Sequence, residues 1–240
     1  MLLNEVLSSL FPGGHDVVVE DSLLSGSGQL GQAGRAQVIG VSGRAAVGVD
    51  QALLLAERVL DIVRQQQPAP LLVLVDSDSQ RMSKRDEMLG LSQFLAHLAT
   101  CLCYADARGH HTVGLLYGHT AAGAFIATAL ATRTLLALPG ADPAVMDLPS
   151  MARVTKLPLA VLEEKARATP VFAPGLDNLA RTGAIAAVLD PAASLADQVI
   201  RALHDAASAD TRDQAGRERG GRPKAADIAA RVHDAALAAA

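Results

Sequence analysis

Tryptophan is absent from the 240 residues, aromatics of all kinds make up 2%, and cysteine occurs twice, at Cys101 and Cys103. With so few rings the interior must be filled by Ala, Leu and Val, which draws backbones close together. The i, i+2 spacing of the cysteines sends the two thiols in different directions on a helix, so neither a zinc site nor a C-x-x-C redox pair fits. No apolar run reaches the roughly 18 residues that would span a bilayer, and the opening stretch MLLNEVLSSLFPGGHD carries Glu5 where an export signal would be basic. A soluble, cytoplasmic protein without membrane contact is expected. Neither sign of charge dominates, with 21 Lys+Arg against 25 Asp+Glu. That balance argues against a nucleic-acid partner, which would call for a basic stripe interleaved with aromatics.

What is present is a half-apolar chain long enough for a sizeable core, in one large domain or one domain with an appendage. Apolar spacing predicts a helix over residues 2–10, ended by Pro12-Gly13-Gly14, and a short strand over 17–20. Residues 25–34, SGSGQLGQAG, spell G-x-G-x-x-G through Gly26, Gly28 and Gly31, but an apolar run over 36–41 follows instead of a helix. They read as a glycine-rich loop between two strands. Asp50 is the expected N-cap of a helix to about residue 66, and 71–75 (LLVLV) reads as a strand buried on both faces. A helix over 86–102 follows, with His97 as a packing residue. Strands over 112–117, 134–138 and 185–189 and helices over 158–169 and 194–207 complete an α/β alternation. From residue 208 the chain turns charged and turn-rich, then Ala-rich over 225–240. The expected organisation is a domain over 1–207 and a tail over 208–240, flexible unless a partner holds it.

Two stretches have the composition for chemistry. At residues 118–123, Gly118, Ala121, Ala122 and Gly123 carry almost no side chain, and the first N–H groups of the following helix have no intrahelical partner. Such donors aimed at one point make an anion or oxyanion site; the same small residues also serve to pack a helix tightly on a sheet. His119 lies within this turn, as a hydrogen-bond or proton donor or as a turn residue bonded to its own backbone. The second stretch, 76–85 (DSDSQRMSKR), follows the buried strand. Its Asp76 and Asp78 have the spacing of a Mg²⁺-binding or nucleophilic D-x-D, or of residues that simply turn a chain. Arg81, Lys84 and Arg85 form a basic trio suited to a phosphorylated arm or to a solvated face.

In wording, four blocks resemble the gamma subunit of biotin-independent malonate decarboxylase: 76–95 (DSDSQRMSKRDEMLGLSQFL), 117–130 (YGHTAAGAFIATAL), 138–156 (LPGADPAVMDLPSMARVTK) and 169–178 (TPVFAPGLDN). The resemblance spans about residues 1–205. That family is similar to the C-terminal half of the acyl-CoA carboxyltransferases, so the resemblance implies a crotonase-like superhelix of β-β-α repeats. It implies a homologous beta subunit paired face to face with this chain, an acyl carrier protein subunit and an acyl carrier transferase subunit. The implied reaction turns malonyl-thioester, held on the carrier's phosphoribosyl-dephospho-CoA arm, into acetyl-thioester and CO₂, a carboxy-lyase activity of the hetero-oligomer. Neither biotin nor a metal is implied for this chain. Loss of CO₂ leaves an enolate, which calls for a cradle of hydrogen-bond donors. The Gly-Gly-Ala-aromatic run of carboxyltransferases reads Ala122-Gly123-Ala124-Phe125 here, after Ala121. The implied catalytic residues are Gly118, His119, Ala122 and Gly123 at one turn and Ser79 and Gln80 at the other, with Arg81, Lys84 and Arg85 toward the carrier arm. His119, Tyr117 or the partner would protonate the enolate. Two other readings stand beside this one: a structural subunit that completes the beta subunit's site, and a Mg²⁺-dependent phosphatase using Asp76 and Asp78.

Overall fold

The five apolar residues 71–75 lie at the middle of the main sheet in the computed structural model, which describes residues 1–65, 67–170, 173–206 and 209–239. They open β4 (Leu71–Gln80), which pairs in parallel with β3 (Arg35–Val47) and β5 (Thr112–Leu116). All five are at most 1% exposed. Leu72 and Leu74 pack with Val6 and Leu10 of α1 (Leu3–Leu10) and with Leu195 and Val199 of α9 (Leu195–Asp205). Alternate residues face the other way, toward the layer formed by α2 (Val49–Arg64) and α4 (Leu91–Ala107). At about 1.5–3 kcal/mol for each buried Leu or Val, this short run contributes on the order of 10 kcal/mol of gross burial energy.

The sheet runs β1 (Val18–Glu20), β2 (Leu23–Gln29), β3, β4, β5, β7 (Thr134–Ala137), β9 (Ala187–Val188). Pairing is antiparallel from β1 to β3 and parallel from β3 to β9. A second, two-stranded parallel sheet, β6 (His119–Ala121) with β8 (Asp142–Ala144), packs against the late part of β4. All of this lies in one compact unit, Met1–Val145 with Ala187–Ala206.

Several expected elements change. Residues 25–29 are not loop but strand β2, and the hairpin turn is confined to 30–34, with a 3-10 turn over Gly31–Ala33. Gly28 is there for proximity, since a Cβ would stand 2.4 Å from the Phe11 ring. Composition cannot separate that use of glycine from a turn. The N-cap of α2 is Gly48, not Asp50; the Gln51 side chain accepts the Gly48 N–H at 3.2 Å, and Asp50 sits in the first turn. The helix expected over 86–102 is two, α3 (Lys84–Leu89) and α4, parted by Gly90 in the left-handed region at φ 86°. Ser83 caps α3 by accepting the Asp86 N–H at 3.1 Å. On α4, Cys101 is buried and Cys103 exposed, as their spacing requires. The expected helix ends at Gln66 and Ala207 lie outside the described residues.

The other unit holds Met146–Ala186 and the described residues from 209 onward. It consists of helices α6 (Leu148–Thr155), α7 (Leu159–Ala168), α8 (Leu176–Arg181), α10 (Arg212–Glu218) and α11 (Ala225–Ala238). Asp147 caps α6 by accepting the Ser150 N–H at 2.6 Å. Arg219, just past α10, donates to the carbonyls of Ala180 and Ile185 at 2.8 and 2.7 Å. Among the described residues no helix is long and apolar enough to cross a membrane.

Candidate functional site

The strand begun by residues 71–75 does not stop at Asp76, as its composition suggests, but continues polar through Gln80, pairing Ser77 with Ala45 and Gln80 with Val47 of β3. Beside it, β5 ends at Leu116 and the chain turns through Tyr117 and Gly118 into β6 and the six-residue α5 (Ala122–Ala127). Gly118 is close-packed on Asp76, whose Oδ1 would lie 2.2 Å from a Cβ there. The two stretches expected to carry chemistry are therefore neighbours in space.

They are joined by side chains of β4. Asp76 Oδ1 accepts the His119 N–H at 3.0 Å, Ser77 Oγ and Thr120 Oγ1 share a buried hydrogen bond of 2.8 Å, and Gln80 Oε1 accepts the Gly123 N–H at 2.8 Å. Ala122 sits between these contacts in the left-handed region at φ 49°, a conformation that costs a non-glycine residue on the order of 1–3 kcal/mol unless its surroundings hold it. Gln80, anchored by its carbonyl, keeps two N–H donors on Nε2, whose one contact among the described residues is the weak acceptor Met82 Sδ at 3.8 Å. Ser79 is turned to its own chain: its N–H donates to Asp78 Oδ1 at 2.8 Å and its hydroxyl to the Gln80 carbonyl at 3.2 Å.

His119 is held at a second point. Its Nδ1 lies 3.0 Å from Asp142 Oδ2, across the β6–β8 pairing that sets His119 opposite Asp142. An ionised carboxylate only accepts, so Nδ1 carries the proton of that bond, and Nε2 is left without a hydrogen-bond partner among the described residues. Nothing in the sequence marks Asp142. Three-residue strands leave no periodic trace, and a contact across 23 residues gives no local signal. Tyr117 points elsewhere: its hydroxyl donates to the Val41 carbonyl at 3.4 Å, and burial, with the Asp76 carboxylate second, pushes its pKa up. A phenol so placed is a poor acid.

The basic trio divides. Arg85 is committed to α2 through two bonds to Asp50, 2.8 and 3.0 Å, and reaches Asp86 Oδ1 at 3.1 Å. Its hydrogen bonds and charge hold the Asp50 carboxyl below its ordinary range. Arg85 is thus a clamp between α2 and α3 rather than an open cation. Arg81 stays partly exposed, its Nε 3.9 Å from the buried Asp86, and Lys84 is exposed. Asp76 and Asp78 each have an oxygen on a backbone N–H, of His119 and of Ser79 respectively.

Known proteins share this arrangement of strands and turns. A Pseudomonas malonate decarboxylase hetero-tetramer solved in complex with coenzyme A matches with a TM-score of 0.82 at 23% identity, over 96% of this chain and 97% of that one. A Pseudomonas malonate decarboxylase MdcD-MdcE hetero-dimer matches at 0.76 and 24%, over 98% of each chain. Transcarboxylase 12S matches at 0.67 and 17%, over 85% of this chain and 40% of that one. The expected crotonase-like, carboxyltransferase-type fold is the observed one. In sequence, the malonyl-S-ACP:biotin-protein carboxyltransferase MADD of Malonomonas rubra is 30% identical over 119 residues, 48% of this chain; the match spans about two fifths (41%) of that relative's length. The malonate decarboxylase gamma subunit profile matches residues 42–236, a span that takes in β4, the turn after β5, Asp142 and most of the second unit. By that match over most of its length, the chain belongs to the malonate decarboxylase gamma subunit family.

Proposed function

We propose that this chain, paired with a homologous beta subunit, decarboxylates malonyl-thioester presented on the phosphoribosyl-dephospho-CoA arm of an acyl carrier protein, a transferase subunit having charged the carrier. The observation that carries the reading is the family match over residues 42–236, which contain both candidate turns. When the C–C bond breaks, its electron pair moves into an enolate, and donors already aimed at that oxygen lower the barrier without having to reorganise. The Gln80 amide N–H₂, fixed by its carbonyl on the Gly123 N–H, and the small-residue backbone at Gly118 and Ala122 form such a donor surface; Gly123 and Ser79, whose N–H groups already go to Gln80 and Asp78, shape that surface rather than donate to it. The left-handed Ala122 shapes the start of α5 as a fixed feature. One well-placed donor is worth about 3 kcal/mol to the transition state. Arg81 and Lys84 face the phosphates of the arm, which enters as substrate, while Arg85 keeps α3 against α2. The catalytic domain is residues 1–207, and 208–240 is an appended segment available to partners.

The test is CO₂ release from malonyl-thioester on the carrier, measured for this chain alone, for the beta subunit alone and for the two co-purified. Release by the pair alone, unchanged by biotin depletion, is the expected outcome. Full activity of the beta subunit by itself would make this chain a structural subunit.

A further inference from the structure

Decarboxylation ends with a proton delivered to carbon, and the fold around the turn offers a source. We infer that His119 delivers the proton to the enolate carbon and that Asp142 is the positioning residue that holds His119 for the transfer, an inference that rests on the decarboxylase reading above.

Three observations carry it. His119 is fixed twice, by its backbone N–H on Asp76 and by Nδ1 on Asp142, so its ring has little freedom to turn away. Those two acceptors come from different elements, β4 and β8, and leave Nε2 as the nitrogen without a partner among the described residues. His119 also stands three residues before α5, on the turn whose backbone faces the expected oxyanion. The other candidate in this chain, Tyr117, is half-buried and bonded to the Val41 carbonyl. The ionisable groups facing His119 are Asp142 on β8 and Asp76 on β4; Asp78 on β4 is exposed to solvent, and α5 carries none.

The step balances without a further reactant. As CO₂ leaves, the electrons of the broken C–C bond form the enolate. The enolate carbon then takes the proton from Nε2 of the imidazolium, the N–H electron pair stays on Nε2, and acetyl-thioester results. The neutral ring keeps its Nδ1 proton on Asp142 and regains the other from water. A histidine of this geometry serves without a carbon-bound proton ever being removed, which is what decarboxylation demands.

The experiment uses the complex of this chain with the beta subunit and the malonyl-loaded carrier, comparing wild type with H119A, H119Q, D142N and D142E, with assembly checked by gel filtration. H119A is expected to lose about 100-fold or more in kcat, with KM little changed, and to recover part of it in added imidazole. H119Q retains an amide N–H for Asp142, so it is expected to assemble and lose kcat equally. D142N is expected to lose less than H119A and not to respond to imidazole, and D142E to recover part of the D142N loss. An H119Q complex with wild-type kcat overturns the inference, as does an H119A loss that imidazole leaves untouched. If wild type itself releases no CO₂, the decarboxylase reading falls first and the dyad's role falls with it; wild-type CO₂ release with unimpaired His119 variants removes the dyad alone.

Discussion

Strands β3, β4, β5 and β7 supply the first unit with side chains such as Val38, Leu74, Val113 and Leu136 at zero exposure, whereas in the second unit Val154, Ile228, Val232 and Leu237 are 54–68% exposed. Few of the described apolar residues of the second unit are shut away, Leu162 and Ile185 among them. Its helices rely instead on a side-chain cap at Asp147, on the Arg219 bonds and on close backbone approaches at Gly183, Gly216 and Gly221. Substitutions should therefore register by different rules: burial sets the scale in the first unit, and local geometry sets it in the second.

The largest effect that would test this contrast is L74A. Removing a fully buried Leu from the centre of the sheet should cost about 2–5 kcal/mol in urea unfolding. A cost under about 1 kcal/mol would mean that burial in the sheet does not govern the stability of this unit. Next is G183A. Gly183 has φ 85°, and a Cβ there would stand 2.1 Å from the Arg212 carbonyl, so α10 must shift. A cost of about 1–3 kcal/mol is expected. Amide hydrogen exchange should quicken over 212–218 while the β4 amides keep their protection; faster exchange in β4 would break the separation of the two units. The smallest is D147A, about 1 kcal/mol and local to α6, visible as faster exchange of its first-turn amides. The Ser150 hydroxyl and N–H hold the Asp147 carboxyl below its ordinary value of 3.8. Its folded pKa being depressed, the cap is fully present above that value and is lost as pH falls through the folded pKa. Protection of α6 should therefore drop at acid pH in wild type and much less in D147A.

How much of this was legible depended on whether one physical cause produced each pattern. Residues 71–75 could be read as a strand because burial on both faces requires an unbroken apolar run and allows little else. Residues 25–29 could not, since Gly26 and Gly28 make room for neighbours while composition reports them as a turn. The 76–80 extension was hidden by its polar residues, of which Asp76, Ser77 and Gln80 are committed to partners on β3, β6 or α5. Family wording pointed to His119, Gly123 and Gln80 as candidates but gave no hint that Gln80 binds Gly123 or that Asp142 joins His119. Both are long-range contacts between single residues, and a linear pattern does not encode them. The basic trio was visible as charge, and only its partners revealed that Arg85 is spent on Asp50.

The bonds from Asp76 to His119, Ser77 to Thr120 and Gln80 to Gly123 all span the same 43 residues. The two segments are thus laced like rungs at one fixed offset, and a slip of either by a single residue would break every rung together. They move as one rigid body or not at all. Any opening at this candidate site must therefore come from outside the laced segments, which serve as the anvil rather than the hinge.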